Sequence, residues 1–336
     1  MSDITVLEHP DLGTRFRITE IASDQSQGDD GADVVAGLTA TPKTLPARYF
    51  YDDRGSDLFE DITALPEYYP TRTEEAILRE RAGEIAALTG DCDLIELGSG
   101  SSSKTRALLR AYLDGGYRIR YLPIDVSDGI LKPSAESLLQ EFPSLELWGL
   151  VGTYESALAH LPKRDLPWRM AMFLGSTMGN LTDDEADVFL ARVRKALETG
   201  ECFLVGTDLH KPANILEAAY NDADGVTAEF NINMLRHLNT RFDGDFDLDA
   251  FSHHAFYNAP ERRIEMHLVS HRVQRVTLAD LDLTVEFGSG ETIRTEISRK
   301  FDLPVLHERF ANSGFKAIQT WTDDKGYYGL TAFRAV

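Results

Sequence analysis

The sequence predicts an α/β protein whose main body is a Rossmann-like, mainly parallel sheet closed by an antiparallel hairpin, and three observations carry that expectation. Between residues 73 and 209, short apolar runs alternate with helix-length amphipathic segments, the rhythm of consecutive βαβ units. The first run, "DLIEL" at 93–97, breaks into Gly98-Ser99-Gly100 and four further positions, three serines and then Lys104. A loop that permissive suits a tight strand-to-helix turn, and equally a backbone that a nucleotide-like group approaches closely. The chain closes on a helix and two long strands joined by "DDKG".

Taken in order, residues 1–32, with "SDQSQGDDG", are polar and without periodicity, so a loose start is expected, with order beginning near Val34. A helix over about 73–89 leads into the strand 93–97, and a second helix runs from Lys104 to Leu113. Next come the strand "RIRYLPIDV", the helix "ILKPSAESLLQEF", the strands "LELWGLV" and "WRMAMFLGS", the helix "DEADVFLARVRKALETG" and the strand "CFLVGTDL". With the closing pair, this makes a sheet of seven strands. After Leu209 the rhythm changes. Two helical stretches, "NILEAAYNDADG" and "VTAEFNINMLRHL", precede an irregular acidic segment, and 253–298 reads as strands about turn signals such as Gly288-Ser289-Gly290. A strand-rich patch after an alternating pattern marks an inserted, smaller α+β domain.

Composition narrows the function classes. The chain has 336 residues, enough for more than one domain, and 55 acidic against 34 basic side chains give a formal charge of -21. Acidity spread along the chain repels a nucleic-acid backbone, so no nucleic-acid partner is expected. Cys92 and Cys202 lack the close spacing of a metal knuckle or redox pair and read as buried thiols of a reducing compartment. There is no leader-like start and no run of about 18 apolar residues, so a cytoplasmic protein without a membrane span is expected.

The glycine pair alone is compatible with any doubly wound cofactor site. A dinucleotide fingerprint would place a third glycine where Ser103 stands, which weakens that option. The following strand ends in Asp125, placed either to accept from the two hydroxyls of a ribose or to cap the next helix. An E/D-x-G-x-G loop with an acidic second strand end resembles the class I methyltransferases that bind S-adenosylmethionine, and the closing hairpin fits that class.

A narrower resemblance lies in longer blocks. These are "AGLTATPKTLPARYFYDDRGSDLFEDITALPEYYPTRTE" at 36–74, "FLGSTMGNL" at 173–181, "GTDLHKPANILEAAYNDADGVTAEFN" at 206–231, "ERRIEMHL" at 261–268 and "TEISRKF" at 295–301. Together they resemble the EgtD family, the histidine-specific Nα-methyltransferases of ergothioneine biosynthesis, from Gly37 to the C-terminus. The resemblance implies a methyltransferase domain of about 73–210 plus 301–336 and a discontinuous substrate-binding domain of about 33–72 plus 211–300. It implies that Tyr68, Asn180 and Tyr220 hold the α-carboxylate and α-amino end of the amino acid, with Tyr51 near the reacting amine and Phe59 and Gly175 lining the pocket. Glu296 and Ser298, with Met266 alongside, select the side chain. Gly98, Ser101 and Lys104 face the methionine end of the cofactor and Asp125 its ribose, while Thr153 and Tyr154 stand where the family carries Asp-Phe at the adenine.

Residue chemistry bears on each of these. A carboxylate and a hydroxyl two residues apart on a strand share one face and match the donor and acceptor nitrogens of an imidazole; they could equally face solvent. The "EYYP" tyrosines and Tyr220 could be core aromatics, and Asn180 could cap the helix beginning near Asp183. The reaction implied is three in-line transfers from the sulfonium of S-adenosylmethionine to the amine of L-histidine, through its mono- and dimethylated forms to hercynine, leaving S-adenosylhomocysteine. Such a transfer calls for no metal and no protein nucleophile; positioning dominates, with Tyr51 and a water as the path for the leaving proton. A monomer is expected. Another amino acid such as tryptophan, or a non-catalytic binding module, are the alternatives, and the Glu296, Ser298 and Met266 set argues against the first.

Overall fold

The structure, a computed structural model, describes residues 4–8, 15–21 and 31–336. Along the chain the elements are β1 (Ile4–Glu8), β2 (Phe16–Ile21), α1 (Ala32–Thr39), β3 (Lys43–Thr44), α2 (Asp53–Ala64), α3 (Tyr69–Ala87), β4 (Cys92–Leu97), α4 (Thr105–Asp114), β5 (Ile119–Asp125), α5 (Asp128–Glu141), β6 (Glu146–Val151), α6 (Tyr154–Ala159), β7 (Trp168–Phe173), α7 (Asp183–Ala196) and β8 (Cys202–Asp208). They continue with α8 (Ala213–Ala218), α9 (Val226–Arg241), β9 (Phe251–Asn258), β10 (Arg263–Ser270), β11 (Gln274–Leu278), β12 (Leu283–Phe287), β13 (Thr292–Arg299), α10 (Leu303–Asn312), β14 (Phe315–Thr322) and β15 (Tyr328–Ala335). The chain divides into two compact units: residues 1–24, 72–209 and 301–336 form the first, and residues 25–71 and 210–300 the second.

The first unit is built on one sheet in the order β1-β2-β6-β5-β4-β7-β8-β15-β14. Its strands from β2 to β8 pair parallel, whereas β15 runs antiparallel to both β8 and β14. The seven strands from β6 to β14 are those expected from the sequence. Two more extend the edge, which corrects the expectation of a loose start: β2 lies parallel beside β6 and pairs with β1. "FRITEI" does alternate, and it buries Phe16, Ile18 and Ile21. Residues 1–3, 9–14 and 22–30 lie outside the described residues.

The central strands carry apolar side chains at neighbouring positions because both faces of the sheet are covered. Leu94, Met172 and Leu204 enter the core on one face, and Ile95, Phe173 and Val205 enter the core on the other. Polar residues inside these strands are met locally: the buried Asp93 pairs with Arg120 on β5 at 2.5 Å, so neither is left uncompensated. Both cysteines are free and buried, and burial pushes the Cys92 thiol up to about 12. The helices start where the sequence supplies caps. Thr182 and Glu185 form a reciprocal capping box on α7, and Asp302 accepts from Val305 N to begin α10. Among the described residues no helix is long and apolar enough to cross a membrane.

The second unit holds a four-stranded sheet, β3-β13-β10-β9, and a separate pair, β11-β12. Gly288-Ser289-Gly290 is indeed a turn, but it carries the chain from the small pair to the larger sheet and closes no hairpin between β12 and β13. Helix α9 packs on α2, β9 and β10 through Phe230, Met234, Leu235 and Leu238. The ladder between β10 and β13 shifts register at Met266/His267, leaving Thr295 as the extra residue. Its hydroxyl turns inward and donates to Asn231 Oδ1 at 2.7 Å, which anchors the bulge and sets Glu296 opposite Met266.

Candidate functional site

In the first unit the candidate cofactor loop follows directly from β4. Gly98 and Gly100 have φ of 71° and 50°, a left-handed backbone that disfavours side chains, and a Cβ at either would meet nothing within 4 Å. The glycines therefore serve the backbone path and leave open space beside it. The loop is tied to the end of β5: Gly100 N donates to Asp125 Oδ2 at 2.8 Å and Ser127 N to Oδ1 at 3.0 Å. Asp125 is thus not the cap of α5, whose N-cap position is Ser127. A carboxylate with one amide on each oxygen keeps acceptor capacity for further donors. Within the same loop the buried Ser99 Oγ has no hydrogen-bond partner among the described residues, a polar atom suited to a ligand. Ser101 presents its carbonyl to Ser134 Oγ at 2.8 Å.

The glutamate of the E-x-G-x-G pattern, Glu96, points into the core. It accepts both from Thr105 Oγ1, at 2.7 and 2.8 Å, and from Tyr121 Oη. Burial raises its carboxyl to about 7.

Lys104 does not stand free for a cofactor carboxylate. Its Nζ lies 2.5 Å from Oε2 of Glu74, a fully buried residue of α3 that the sequence reading did not single out. Glu74 is a hub: it also accepts from Gly175 N at 2.8 and 2.9 Å and from Tyr328 Oη at 2.7 Å. The "FLGS" loop and Lys104 are therefore held by one carboxylate. Asn180 ends the 3-10 turn Thr177–Asn180 and does not cap α7, because Thr182 does. Its side chain makes no hydrogen bond among the described residues, which leaves the amide for another group. The Thr153 hydroxyl caps α6, accepting from Ser156 N at 3.3 Å, and keeps its second lone pair. Tyr154 packs its ring on Phe173 and Phe189.

The second unit holds Tyr51, Phe59, Tyr68, Tyr220, Met266, Glu296 and Ser298, while Gly175 and Asn180 belong to the first. Tyr51, Phe59, Tyr68 and Tyr220 form a chain of edge-to-face rings with centroids 5.9, 6.4 and 6.2 Å apart. Phe230 of α9, absent from the sequence expectation, packs 6.0 Å from both Tyr51 and Phe59 and closes this aromatic wall. Glu296 and Ser298 lie two positions apart on β13 and so share a face, with the buried Met266 opposite Glu296. Ser298 is not a solvent-facing strand residue. Its Oγ accepts from Tyr220 Oη at 2.8 Å and from Lys300 Nζ at 2.8 Å, and Lys300 lies 4.9 Å from the centre of the Tyr220 ring. Lys300 is the third residue that sequence reasoning missed, although it stands inside the quoted "TEISRKF".

Comparison with known proteins adds to this geometry. The profile of the family described as "Histidine-specific methyltransferase, SAM-dependent" matches residues 30–335. The histidine N-alpha-methyltransferase of Mycolicibacterium smegmatis is 45% identical over 311 residues, covering 93% of this chain and 96% of that protein. The histidine N-alpha-methyltransferase of Mycobacterium tuberculosis is 44% identical, over 89% of this chain and 92% of its own. Ergothioneine biosynthesis protein 1 of Neurospora crassa is 31% identical over 85% of this chain, which corresponds to 32% of that longer protein.

Proposed function

The chain belongs to the family of histidine-specific, SAM-dependent methyltransferases, and from that premise we propose that it methylates the α-amine of L-histidine three times to give hercynine, the first step of ergothioneine biosynthesis. The observation that carries the substrate choice is the Glu296 and Ser298 pair. Strand alternation sets the two on one face, the bulge at Thr295 places Glu296 opposite Met266, and Ser298 is buried and gripped by Tyr220 and Lys300. A carboxylate and a hydroxyl in that arrangement match the two ring nitrogens of an imidazole.

In this reading the first unit carries the donor. Gly98, Ser99, Ser101 and Gly100 offer bare backbone and an unpartnered hydroxyl to the methionine end, and Asp125 accepts from the ribose hydroxyls. The bound S-adenosylmethionine supplies an electrophilic methyl on a sulfonium, and S-adenosylhomocysteine leaves. Lys104, neutralised by Glu74, acts mainly by shaping the loop beside Gly175. Adenine recognition falls to the backbone near Tyr154 and to the second lone pair of the Thr153 hydroxyl, whose first caps α6.

In the second unit Tyr68 holds the amino acid at its α-end, with Phe59, Met266 and the ring of Tyr220 as walls, since the Tyr220 hydroxyl is engaged by Ser298. Tyr51, the most exposed of the aromatic chain at 41%, can relay the proton that the amine must lose before each transfer. The faces of Tyr51 and Tyr68 suit the positive charge that grows as methyl groups accumulate. The test is a transfer assay with S-adenosylmethionine across the amino acids, read by product mass. Histidine gaining one, two and then three methyl groups is expected. Turnover of tryptophan or another amino acid with none of histidine would overturn the assignment.

A further inference from the structure

We propose that Lys300 is a positioning residue which locks the Ser298 hydroxyl as a hydrogen-bond donor, so that the site takes its ring ligand only as neutral imidazole with one bare nitrogen. The proposal rests on the histidine reading above and says which form of histidine binds and which side chain decides it.

A serine hydroxyl has two acceptor lone pairs and one proton. Lys300 Nζ can only donate, and it lies 2.8 Å from Ser298 Oγ and 3.2 Å from Tyr220 Oη. A phenolic oxygen delocalises one lone pair into its ring, so a donor from Lys300 fills the acceptor side of Tyr220. The Tyr220 proton then goes to Ser298 Oγ, 2.8 Å away. Both lone pairs of Ser298 are thereby occupied, and its own proton has no acceptor among the described residues. Ser298 and Lys300 are each 4% exposed and Tyr220 is 7% exposed, so water does not scramble these roles. Without Lys300, the hydroxyl could turn and accept instead.

Two residues earlier on the same face, the Glu296 carboxylate is an acceptor. Positions i and i+2 of a strand are roughly 7 Å apart, about the span of a five-membered ring with one hydrogen bond on each side. The strand face thus presents one acceptor and one donor. Neutral imidazole, with one N–H and one bare nitrogen, complements it; imidazolium would set its second N–H against the Ser298 proton. Histidine free in water protonates near pH 6.5, so lowering the pH removes the form that fits.

The experiment compares two histidine analogues as competitive inhibitors of histidine methylation. 3-(Thiazol-4-yl)alanine keeps a bare ring nitrogen, and 3-(thien-3-yl)alanine replaces it with CH. The intact enzyme is expected to bind the thiazole about 10-fold tighter. Lys300→Met should cut that ratio below about 3-fold, whereas Glu296→Gln should leave it unchanged. An unaltered ratio in Lys300→Met overturns the proposal. If that variant does not fold, the enzyme saturated with S-adenosylhomocysteine and ring-¹⁵N-labelled histidine at pH 6 decides: nitrogen shifts of a neutral ring with one N–H support the lock, and those of an imidazolium refute it. Failure of histidine to bind while S-adenosylhomocysteine does bind would refute the underlying substrate assignment instead, and the lock with it.

Discussion

The carboxylate of Glu74 fills the space that a side chain at position 206 would need: a Cβ on Gly206 would sit 1.9 Å from Glu74 Oε1 and 2.7 Å from Tyr328 Oη. Gly206 lies on β8 in ordinary extended backbone, so room, not dihedral freedom, requires glycine there. Because Glu74 is pinned by Gly175, Lys104 and Tyr328, it cannot swing aside cheaply. Gly206→Ala is expected to destabilise the protein by about 1–3 kcal/mol through overpacking, measured from denaturant midpoints. Shortening the acid with Glu74→Asp should recover part of that loss; a double variant no better than additive would rule out the steric cause.

Removing the Glu74 carboxylate strands its partners. Glu74→Leu leaves the Gly175 amide, the Tyr328 hydroxyl and the Lys104 ammonium without their acceptor, at a cost of roughly 3–5 kcal/mol. Lys104→Met in the same background should restore stability in part, because it deletes the uncompensated charge. A double-mutant cycle with no coupling between positions 74 and 104 would show that the ion pair is inert.

Glu96 makes stability depend on pH. Its folded carboxyl sits near 7, above the ordinary value of 4.5, because burial disfavours the charged form. Between those values the folded chain keeps the proton and the unfolded chain has lost it, so the contribution is full below about pH 4.5 and is lost as pH rises through 7. The change is on the order of 3 kcal/mol. Glu96→Gln, which keeps the shape, should flatten the fall in urea midpoint between pH 5 and pH 8; an unchanged slope would assign it to other groups.

Glu296 separates substrate from cofactor. Glu296→Ala is expected to raise the KM for histidine by about 10-fold or more, the loss of a charge-assisted hydrogen bond, with S-adenosylhomocysteine affinity within about 2-fold of the parent. Calorimetric titration of both ligands checks this. Equal loss of the two would refute the assignment of Glu296 to the amino-acid ring.

Several alternatives that stood open in the sequence close on local geometry. Asp125 and Asn180 each stood just before a helix, where an acid or an amide is an ordinary cap. Ser127 and Thr182 hold those cap positions instead, which leaves Asp125 bridging to the glycine loop and the Asn180 amide unengaged. Thr153 does take the cap position of α6, the ordinary place of a threonine before a helix. The strand at Phe16–Ile21 alternates visibly, but polar neighbours masked it, and only its place beside β6 explains why it orders.

By itself the sequence determined the seven parallel and antiparallel core strands, through apolar runs whose two faces must both be covered, and the glycine loop after β4, through a backbone path that side chains disfavour. It also placed Glu296 and Ser298 on one face, because strand alternation is a local property. Tertiary structure alone decided the hub at Glu74, the wall residue Phe230 and the grip of Lys300 on Ser298. Each depends on side chains from segments far apart in the chain, or on a hydrogen-bond direction, and neither is encoded in the spacing of residues along one strand or helix.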